Sequence, residues 1–233
     1  MKLRKKCIIL DHDDTVIDSQ ESIHYPLFVA VLKELRPHVA PISFEQFIDL
    51  SNKLGFTKMC RLVYHFTPDE ILYEYEHWKK HVEHMIAPTY AGLESILQRF
   101  VQAGGIIVVY TMNAKHNVLN DYARLFNMIP HAIIAHDQYS ILRKPYRLSL
   151  LQTLSDLNVS VKDCVFVDDS PLVVALKDRL NIEFLAASWA KSAHALWESN
   201  TDVTVLYHPE QLAHYLFDVR ESEHHENNTN IPL

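Results

Sequence analysis

Five short runs of apolar residues recur along the chain, and helical patterns separate them. The runs are CIIL at 7–10, IIVVY at 106–110, AII at 132–134, CVFV at 164–167 and IEFL at 182–185. Because the apolar character is continuous rather than alternating, these runs predict strands covered on both faces, as in a parallel sheet. The segments between them, such as 93–103 and 148–157, have helical spacing. The sequence therefore predicts a doubly wound, Rossmann-like α/β fold.

The interval between the first two runs contains only helical patterns, each with an apolar stripe. They are IHYPLFVAVLKEL at 23–35, SFEQFIDLSNKL at 43–54 and PDEILYEYEHWKKHVEHM at 68–85. Ser43 and Gln46 are placed to form a capping box, and Pro68 suits the first turn of a helix. The last residues of the chain lack hydrophobic periodicity, which is typical of a disordered tail. We predict an α/β core at 1–18 and 88–220, an inserted all-helical cap domain at 19–87 and a tail at 221–233.

Charge and hydrophobic patterning exclude several classes of partner. The chain of 233 residues has a net charge of -7, which is not the basic footprint of a nucleic-acid-binding protein. No stretch approaches the roughly 20 apolar residues of a membrane helix, and the first apolar run meets Asp11 too soon to be a signal peptide. The 3 cysteines are odd in number, which favours reduced thiols. We predict a cytoplasmic protein that binds neither nucleic acid nor a membrane.

Mostly polar residues follow the first, second and fourth predicted strands, at the point where each of these strands ends. They are Asp11, Asp13, Asp14 and Thr15, then Thr111, Met112 and Asn113, and finally Asp168, Asp169 and Ser170, with Lys144 between the third and fourth runs. The carboxyl ends of parallel strands meet at one edge of a sheet, where open α/β proteins bind ligands. Clustered carboxylates need a cation among them, and Mg²⁺ prefers hard oxygen ligands completed by a phosphate oxygen. The sequence therefore predicts a Mg²⁺ site that handles a phosphoryl group.

This set of side chains suits phosphoryl transfer. An aspartate can attack phosphorus and form an aspartyl-phosphate. A second acid two residues further on can protonate the leaving oxygen and then take a proton from water. The metal and Lys144 would offset the charge of the transferring group. The expected substrate is a small phosphorylated metabolite.

Four sequence motifs carry a family resemblance. DHDDT, VVYTMN, LRKP and VFVDDSP, in this order and spacing, resemble the four motifs of the haloacid dehalogenase-like superfamily. The stretches AGLESILQRFVQAGGIIVVYT, AASWA and HPEQLAHYL look like the branch that contains phosphoglycolate phosphatase and β-phosphoglucomutase. In that branch a helical cap is inserted after the first motif, which matches the helical interval of this chain.

The resemblance implies a role for each catalytic residue. Asp11 would be the nucleophile, and Asp13 the general acid and base that also gives its backbone carbonyl to Mg²⁺. Lys144 would hold the nucleophile and the phosphate together. Asp169 would complete the metal site. Asp168 stands where glycine is common, and it is equally suited to bind the metal directly or to cap the helix that follows.

The resemblance also implies a phosphate-binding residue, and it shows where this chain departs from the family. Thr111 would bind the phosphoryl oxygens with its neighbours Met112 and Asn113. In the family an asparagine usually follows the threonine directly, whereas here Met112 stands between them. Asn113 could instead merely cap the next helix. Glycine is usual at position 14, where this chain has Asp14, a residue that visits the left-handed region more readily than most. An acid is common at position 173, where this chain has a valine, and a second proline is common at position 147, where it has an arginine. These departures leave the substrate open.

Alternative functions follow from the same residues. A phosphomutase of the same branch would need cap groups that retain a bisphosphate. A catalytically silent protein that binds a phosphorylated ligand would typically have lost Asp11, Asp13 or Lys144, and this chain keeps all three. A phosphatase is the leading prediction.

Several histidines have alternative interpretations. His77, His81 and His84 lie on one helical stripe. They flank the apolar face of their helix, which favours a solvated or cleft-facing edge over a metal site. His12 lies between two key aspartates but is expected to point to the opposite face of the strand and to pack there.

Overall fold

The computed structural model describes residues 2–82, 85–136, 144–197 and 202–218. A parallel sheet of six strands forms its centre, in the order β3-β2-β1-β4-β5-β6. The strands, β1 to β6 in turn, are Cys7–Leu10, Ile106–Tyr110, Ala132–Ile134, Cys164–Asp168, Glu183–Ala187 and Thr204–Leu206. The predicted α/β class and parallel sheet are confirmed. The fifth strand begins one residue later and ends two residues later than predicted, and the sequence analysis missed β6.

Nine α-helices lie in the described part of the chain. From α1 to α9 they are Tyr25–Leu35, Phe44–Leu54, Phe56–Val63, Pro68–Val82, Leu93–Gln102, Lys115–Phe126, Arg147–Asp156, Ala175–Leu180 and Ala213–Leu216. A π-helical turn, Gln20–His24, precedes α1. The patterns predicted α1, α2, α4, α5 and α7, but α3 was not recognised as a separate helix.

Helices α1 to α4 form the helical insert between β1 and β2. Their aromatic side chains pack into an apolar cluster of their own, with Phe28 and Phe47 buried at its centre. The predicted capping box at the start of α2 is confirmed, since the Gln46 N–H donates to Ser43 Oγ and the Ser43 N–H donates to Gln46 Oε1. Pro68 opens α4, as predicted. The division at residues 18, 87 and 220 stays a prediction.

Strand β1 lies at the middle of the sheet, between β2 and β4. Ile8 and Leu10 pack into the apolar cluster on one face, while Cys7 and Ile9 pack into the cluster on the other. The chain builds β2 and β3 on one side of β1 and then returns to build β4 on the other. In open α/β sheets such a reversal opens a crevice at the carboxyl ends of the strands. The crevice here lies beyond the ends of β1 and β4.

Some predictions concern residues outside the described ranges. These include the tail at 221–233 and His84. Among the described residues, no helix is long and apolar enough to cross a membrane.

Candidate active site

Three carboxylates meet at the crevice beyond β1 and β4. Asp11 follows β1, Asp168 ends β4 and Asp169 comes next along the chain. One oxygen from each lies within 4.8 Å of the others. Asp11 and Asp168 are buried. The parallel pairing of Leu10 with Val167 sets this proximity, because it brings the two strands to the edge of the sheet together.

Lys144 supplies the positive charge of this group. Its Nζ lies 3.1 Å from Asp11 Oδ1 and 2.5 Å from Asp168 Oδ2. Burial alone would lower the pKa of Lys144, but the two carboxylates raise it above its ordinary value. The side chain therefore stays an ammonium ion that joins the ends of β1 and β4.

One ammonium ion does not balance three carboxylates. Burial, with the charge of Asp11, raises the pKa of Asp168 to about 7 even though Lys144 opposes the shift. Burial and the charges of Asp11 and Asp168 raise the pKa of Asp169 well above its ordinary value. A divalent cation would remove this excess of negative charge, and an all-oxygen donor set suits a hard cation. The residues present therefore fit a divalent metal.

Thr15 fixes the orientation of Asp169. Its hydroxyl donates to Asp169 Oδ1 at 3.2 Å, and the Asp169 N–H donates to Thr15 Oγ1 at 3.1 Å. Two indoles hold the backbone around this pair, since Trp189 donates to the Thr15 carbonyl and Trp197 to the Asp169 carbonyl. The sequence analysis placed Thr15 at this edge but gave it no role.

The Asp13 side chain lies apart from the three carboxylates and faces the helical insert. The Asn113 amide donates to both of its oxygens at 3.1 Å, and His24 Nε2 lies 3.8 Å from Oδ1. Burial alone would raise the pKa of Asp13, but His24 and His12 lower it below its ordinary value. Asp13 is therefore a carboxylate in the free site.

His24 was not predicted as a site residue. The Trp78 indole N–H donates to its Nδ1 at 3.0 Å, which leaves the imidazole proton on Nε2, the nitrogen that faces Asp13. Burial alone would lower the pKa of His24, and Asp13 raises it above its ordinary value. No spacing in the sequence indicates this contact, because Trp78 lies 54 positions further along the chain.

Thr111, Met112 and Asn113 form the loop after β2. The Asn113 N–H donates to Thr111 Oγ1 at 3.0 Å, so the buried Thr111 hydroxyl keeps its own proton for a ligand. Met112 is half exposed and lines the crevice. The Asn113 Oδ1 accepts from the N–H of Ala114, the residue before α6, but among the described residues no side chain caps the first turn of α6. Phosphate binding by Asn113 stays a prediction.

Asp14 has a structural place beside the site. Its φ of 55° lies in the left-handed region, which explains how an aspartate stands where glycine is common. Its Oδ1 accepts from the backbone N–H groups of Ser19 and Gln20, and its Oδ2 accepts from the Ser192 hydroxyl. Asp14 thus ties the start of the helical insert to the loop after β5.

Two cavities adjoin at this edge of the sheet. The first, about 420 Å³, contains Asp11 and Lys144, and the insert contributes Gln20 and Asn52 to its lining. The second, about 330 Å³, lies within the insert, and we call it the insert cavity. It is lined by Gln20, His24, Phe47, Ser51, Phe56, Glu74, Tyr75 and Trp78. Gln20 borders both cavities.

Asp168, His12, His77 and His81 are the remaining described residues for which the sequence left alternative roles. Asp168 Oδ1 accepts from the Ser170 N–H at 2.9 Å, and the Ser170 hydroxyl in turn caps the short turn at Pro171–Val173. His12 is buried, stacks on Tyr122 and lies 3.0 Å from Asp121 Oδ2. The His77 and His81 rings stack on each other 4.1 Å apart.

Comparison with known proteins identifies one family. A family model described as haloacid dehalogenase-like hydrolase matches residues 8–187, most of the chain. A comparison with curated proteins gives no match.

Solved structures share the fold over most of their length. A predicted phosphoglycolate phosphatase from Haemophilus somnus is 15% identical, with a TM-score of 0.69 over 87% of this chain and 94% of that one. A HAD-superfamily hydrolase, subfamily IA, from Geobacter sulfurreducens is 15% identical, with a TM-score of 0.67 over 91% and 96%. CbbY from Rhodobacter sphaeroides, solved with phosphate, is 17% identical, with a TM-score of 0.66 over 89% and 96%. At such identities the similarity shows the fold alone.

The buried acid of the insert cavity predicts a pH dependence of stability. Burial raises the pKa of Glu74 from 4.5 to about 7, and His24 opposes the shift only in part. The folded protein therefore binds this proton more tightly than the unfolded chain. The contribution of Glu74 to the free energy of unfolding falls as the pH rises from about 4.5 to 7.

We expect the free energy of unfolding of Glu74→Gln to rise relative to that of the wild type across that pH range, by at most about 3 kcal/mol at pH 7. Urea unfolding at several pH values measures the difference. Glu76→Gln, on the exposed face of the same helix, is the control and should track the wild type. A Glu74→Gln difference that does not change with pH would contradict the prediction.

Proposed function

Because the chain belongs to the haloacid dehalogenase-like hydrolases, we propose that it is a Mg²⁺-dependent phosphatase that hydrolyses a small phosphorylated metabolite through an aspartyl-phosphate. The observation that carries this proposal is the position of Lys144, whose Nζ lies 3.1 Å from Asp11 Oδ1 and 2.5 Å from Asp168 Oδ2. A nucleophilic carboxylate beside a fixed ammonium ion suits attack on a phosphoryl group, because the ammonium offsets the negative charge of the incoming phosphate.

The first step transfers the phosphoryl group to the protein. A carboxylate oxygen of Asp11 attacks phosphorus, the P–O bond to the leaving alcohol breaks, and Asp13 gives that oxygen its proton. Asp13 is ionised in the free site, and the charge of a bound phosphate dianion raises its pKa toward the protonated form that this step needs. Thr111 donates its hydroxyl hydrogen to a phosphoryl oxygen.

The second step regenerates the free Asp11 carboxylate. The Asp13 carboxylate takes a proton from water, the water oxygen bonds to phosphorus, and the P–O bond to Asp11 breaks to release phosphate. A bound Mg²⁺ supplies charge neutralisation of the phosphoryl oxygens. Asp11, Asp169 and the Asp13 backbone carbonyl are the proposed ligands, with Asp168 as the further candidate.

The lining of the two cavities favours a phosphatase over a phosphomutase. A mutase must retain a bisphosphate, and a second phosphate needs cationic side chains. Among the described residues that the insert contributes to the two cavities, none is a lysine or an arginine. A silent phospho-ligand-binding protein is disfavoured because Asp11, Asp13 and Lys144 are all present. The cytoplasmic location remains a prediction.

A substitution of the proposed nucleophile, Asp11, tests the proposal. We expect Asp11→Asn to abolish turnover of a panel of small phosphate esters in the presence of Mg²⁺, because an amide cannot attack phosphorus. Enzymes accelerate monoester hydrolysis by up to about 10²¹-fold, so the loss should be complete within detection. Phosphate release measures it. The control, Asp49→Asn, removes an exposed carboxylate of the insert and should keep full activity.

The Tm of Asp11→Asn should equal or exceed that of the wild type, because the substitution removes one of three mutually repelling carboxylates. Residual turnover within a few fold of the wild type would exclude the covalent mechanism.

Mg²⁺ affinity should depend more on Asp169 than on Asp168. Lys144 and the Ser170 N–H engage the two oxygens of Asp168, whereas the side chain of Asp169 accepts a single hydrogen bond within the described chain, from Thr15. Calorimetric titration of Mg²⁺ should show at least about a tenfold loss of affinity for Asp169→Asn. A smaller loss is expected for Asp168→Asn. A larger loss of Mg²⁺ affinity for Asp168→Asn than for Asp169→Asn would assign the main metal-ligand role to Asp168 instead.

The role of Asp13 predicts a dependence on the leaving group. An alkoxide needs a proton as its bond to phosphorus breaks, whereas p-nitrophenolate is stable as an anion. Asp13→Asn should therefore slow the first turnover of an alkyl phosphate by about 10²- to 10⁴-fold and that of p-nitrophenyl phosphate far less. Rapid-quench measurement of leaving-group release compares the two esters. An equal loss of rate with the two esters would mean that Asp13 has only a structural role.

A further inference from the structure

The insert cavity contains a buried acid that the proposed mechanism does not use. Glu74 is 7% exposed and lines this cavity from α4. No hydrogen bond or ion pair from another described residue reaches its carboxyl group. Burial raises its pKa to about 7. Burying a carboxyl group without a partner is unfavourable. This arrangement therefore points to a ligand that supplies the partner.

Aromatic side chains form two sides of the same cavity. Phe47 and Phe56 line it from α2 and α3, with ring centroids 6.2 Å apart, and Tyr75 and Trp78 line it from α4 at 6.0 Å. The negative faces of aromatic rings attract cations, and aromatic cages are the usual binding sites of quaternary ammonium groups. Four aromatic rings and one carboxylate favour a cationic ligand over a neutral one.

The other polar groups of the cavity do not suit a sugar or an anion. A sugar would bury several hydroxyl groups, each of which needs a hydrogen-bond partner. Beside Glu74 the lining offers Gln20, Ser51 and His24, and His24 is engaged by the Trp78 indole and by Asp13. No lysine or arginine is among the described lining residues, and the imidazole of His24 already lies against the Asp13 carboxylate, so an anion would meet Glu74 with no cation free to pair with it.

The insert cavity lies beside the proposed reaction site. Gln20 lines both cavities, and His24, which lines the insert cavity, approaches the Asp13 carboxylate at 3.8 Å. The shared border at Gln20 gives the remainder of a substrate held at Asp11 a direction in which to extend toward the aromatic rings.

We propose that the insert cavity binds the ammonium group of the substrate, and that the substrate is a small phosphate monoester of an amino alcohol. Glu74 pairs with the ammonium ion, and the rings around it exclude water. This inference rests on the proposed phosphatase function for the placement of the phosphoryl group, while the cation site itself rests on the cavity.

The test compares esters that differ in charge and match in shape. Phosphocholine and 3,3-dimethylbutyl phosphate have nearly the same size, with a quaternary nitrogen in the first and a quaternary carbon in the second. We expect the wild type to show a kcat/KM at least about tenfold higher for phosphocholine, and phosphoethanolamine to behave likewise. Glu74→Gln should reduce this preference to near unity. The exposed Glu76→Gln should retain it.

A second measurement separates this inference from the proposed function. Calorimetric titration of choline alone should show binding to the wild type and at least about tenfold weaker binding to Glu74→Gln. Choline binding without hydrolysis of any ester, p-nitrophenyl phosphate included, would overturn the phosphatase and leave the cation site standing. Hydrolysis of p-nitrophenyl phosphate with no choline binding, or a charge preference that Glu74→Gln leaves unchanged, would overturn the cation site and leave the phosphatase standing.

Discussion

Three carboxylates and one ammonium ion share a buried space at the carboxyl edge of the sheet, and the remainder of the site depends on the attraction between them. Lys144 contacts Asp11 and Asp168, which end two adjacent strands. Its single charge leaves an excess of negative charge, which burial makes more unfavourable. This excess of negative charge suits a divalent cation, which the proposed function requires.

The surrounding structure holds these charges in place by hydrogen bonds between distant parts of the chain. Thr15, in the loop after β1, orients Asp169 in the loop after β4. Asp14, in the same loop as Thr15, accepts hydrogen bonds from Ser19 at the beginning of the helical insert and from Ser192. These bonds oppose the electrostatic repulsion, because the carboxylates cannot separate without breaking buried hydrogen bonds.

The helical insert determines what else reaches the reacting atoms. It places His24 against Asp13 and closes one side of the crevice with Gln20 and Asn52. Its aromatic cluster gives it a core of its own, so substitutions at its cavity can alter ligand selection while the sheet stays intact. Under the proposed function, the ends of the strands carry the reacting groups and the insert selects the substrate.

The sequence by itself determined the α/β class, because short continuous apolar runs that alternate with helical patterns are typical of strands covered on both faces by helices. It also placed Asp11, Thr111 and Asp168 at one edge, since the ends of parallel strands meet there. It missed β6, whose three residues are too short to give a pattern, and it missed α3, which Gly55 separates from α2.

Only the tertiary structure decided which side chains contact one another. The proximity of His24 to Asp13 depends on how the insert folds back on itself, and so does the cavity that Glu74 shares with aromatic rings from three helices. Periodicity records which face of a helix is buried, but it carries no information about the partner that buries that face. The class of reaction could therefore be proposed from the order of residues along the chain, whereas the ligand pocket required the packing of residues distant in sequence.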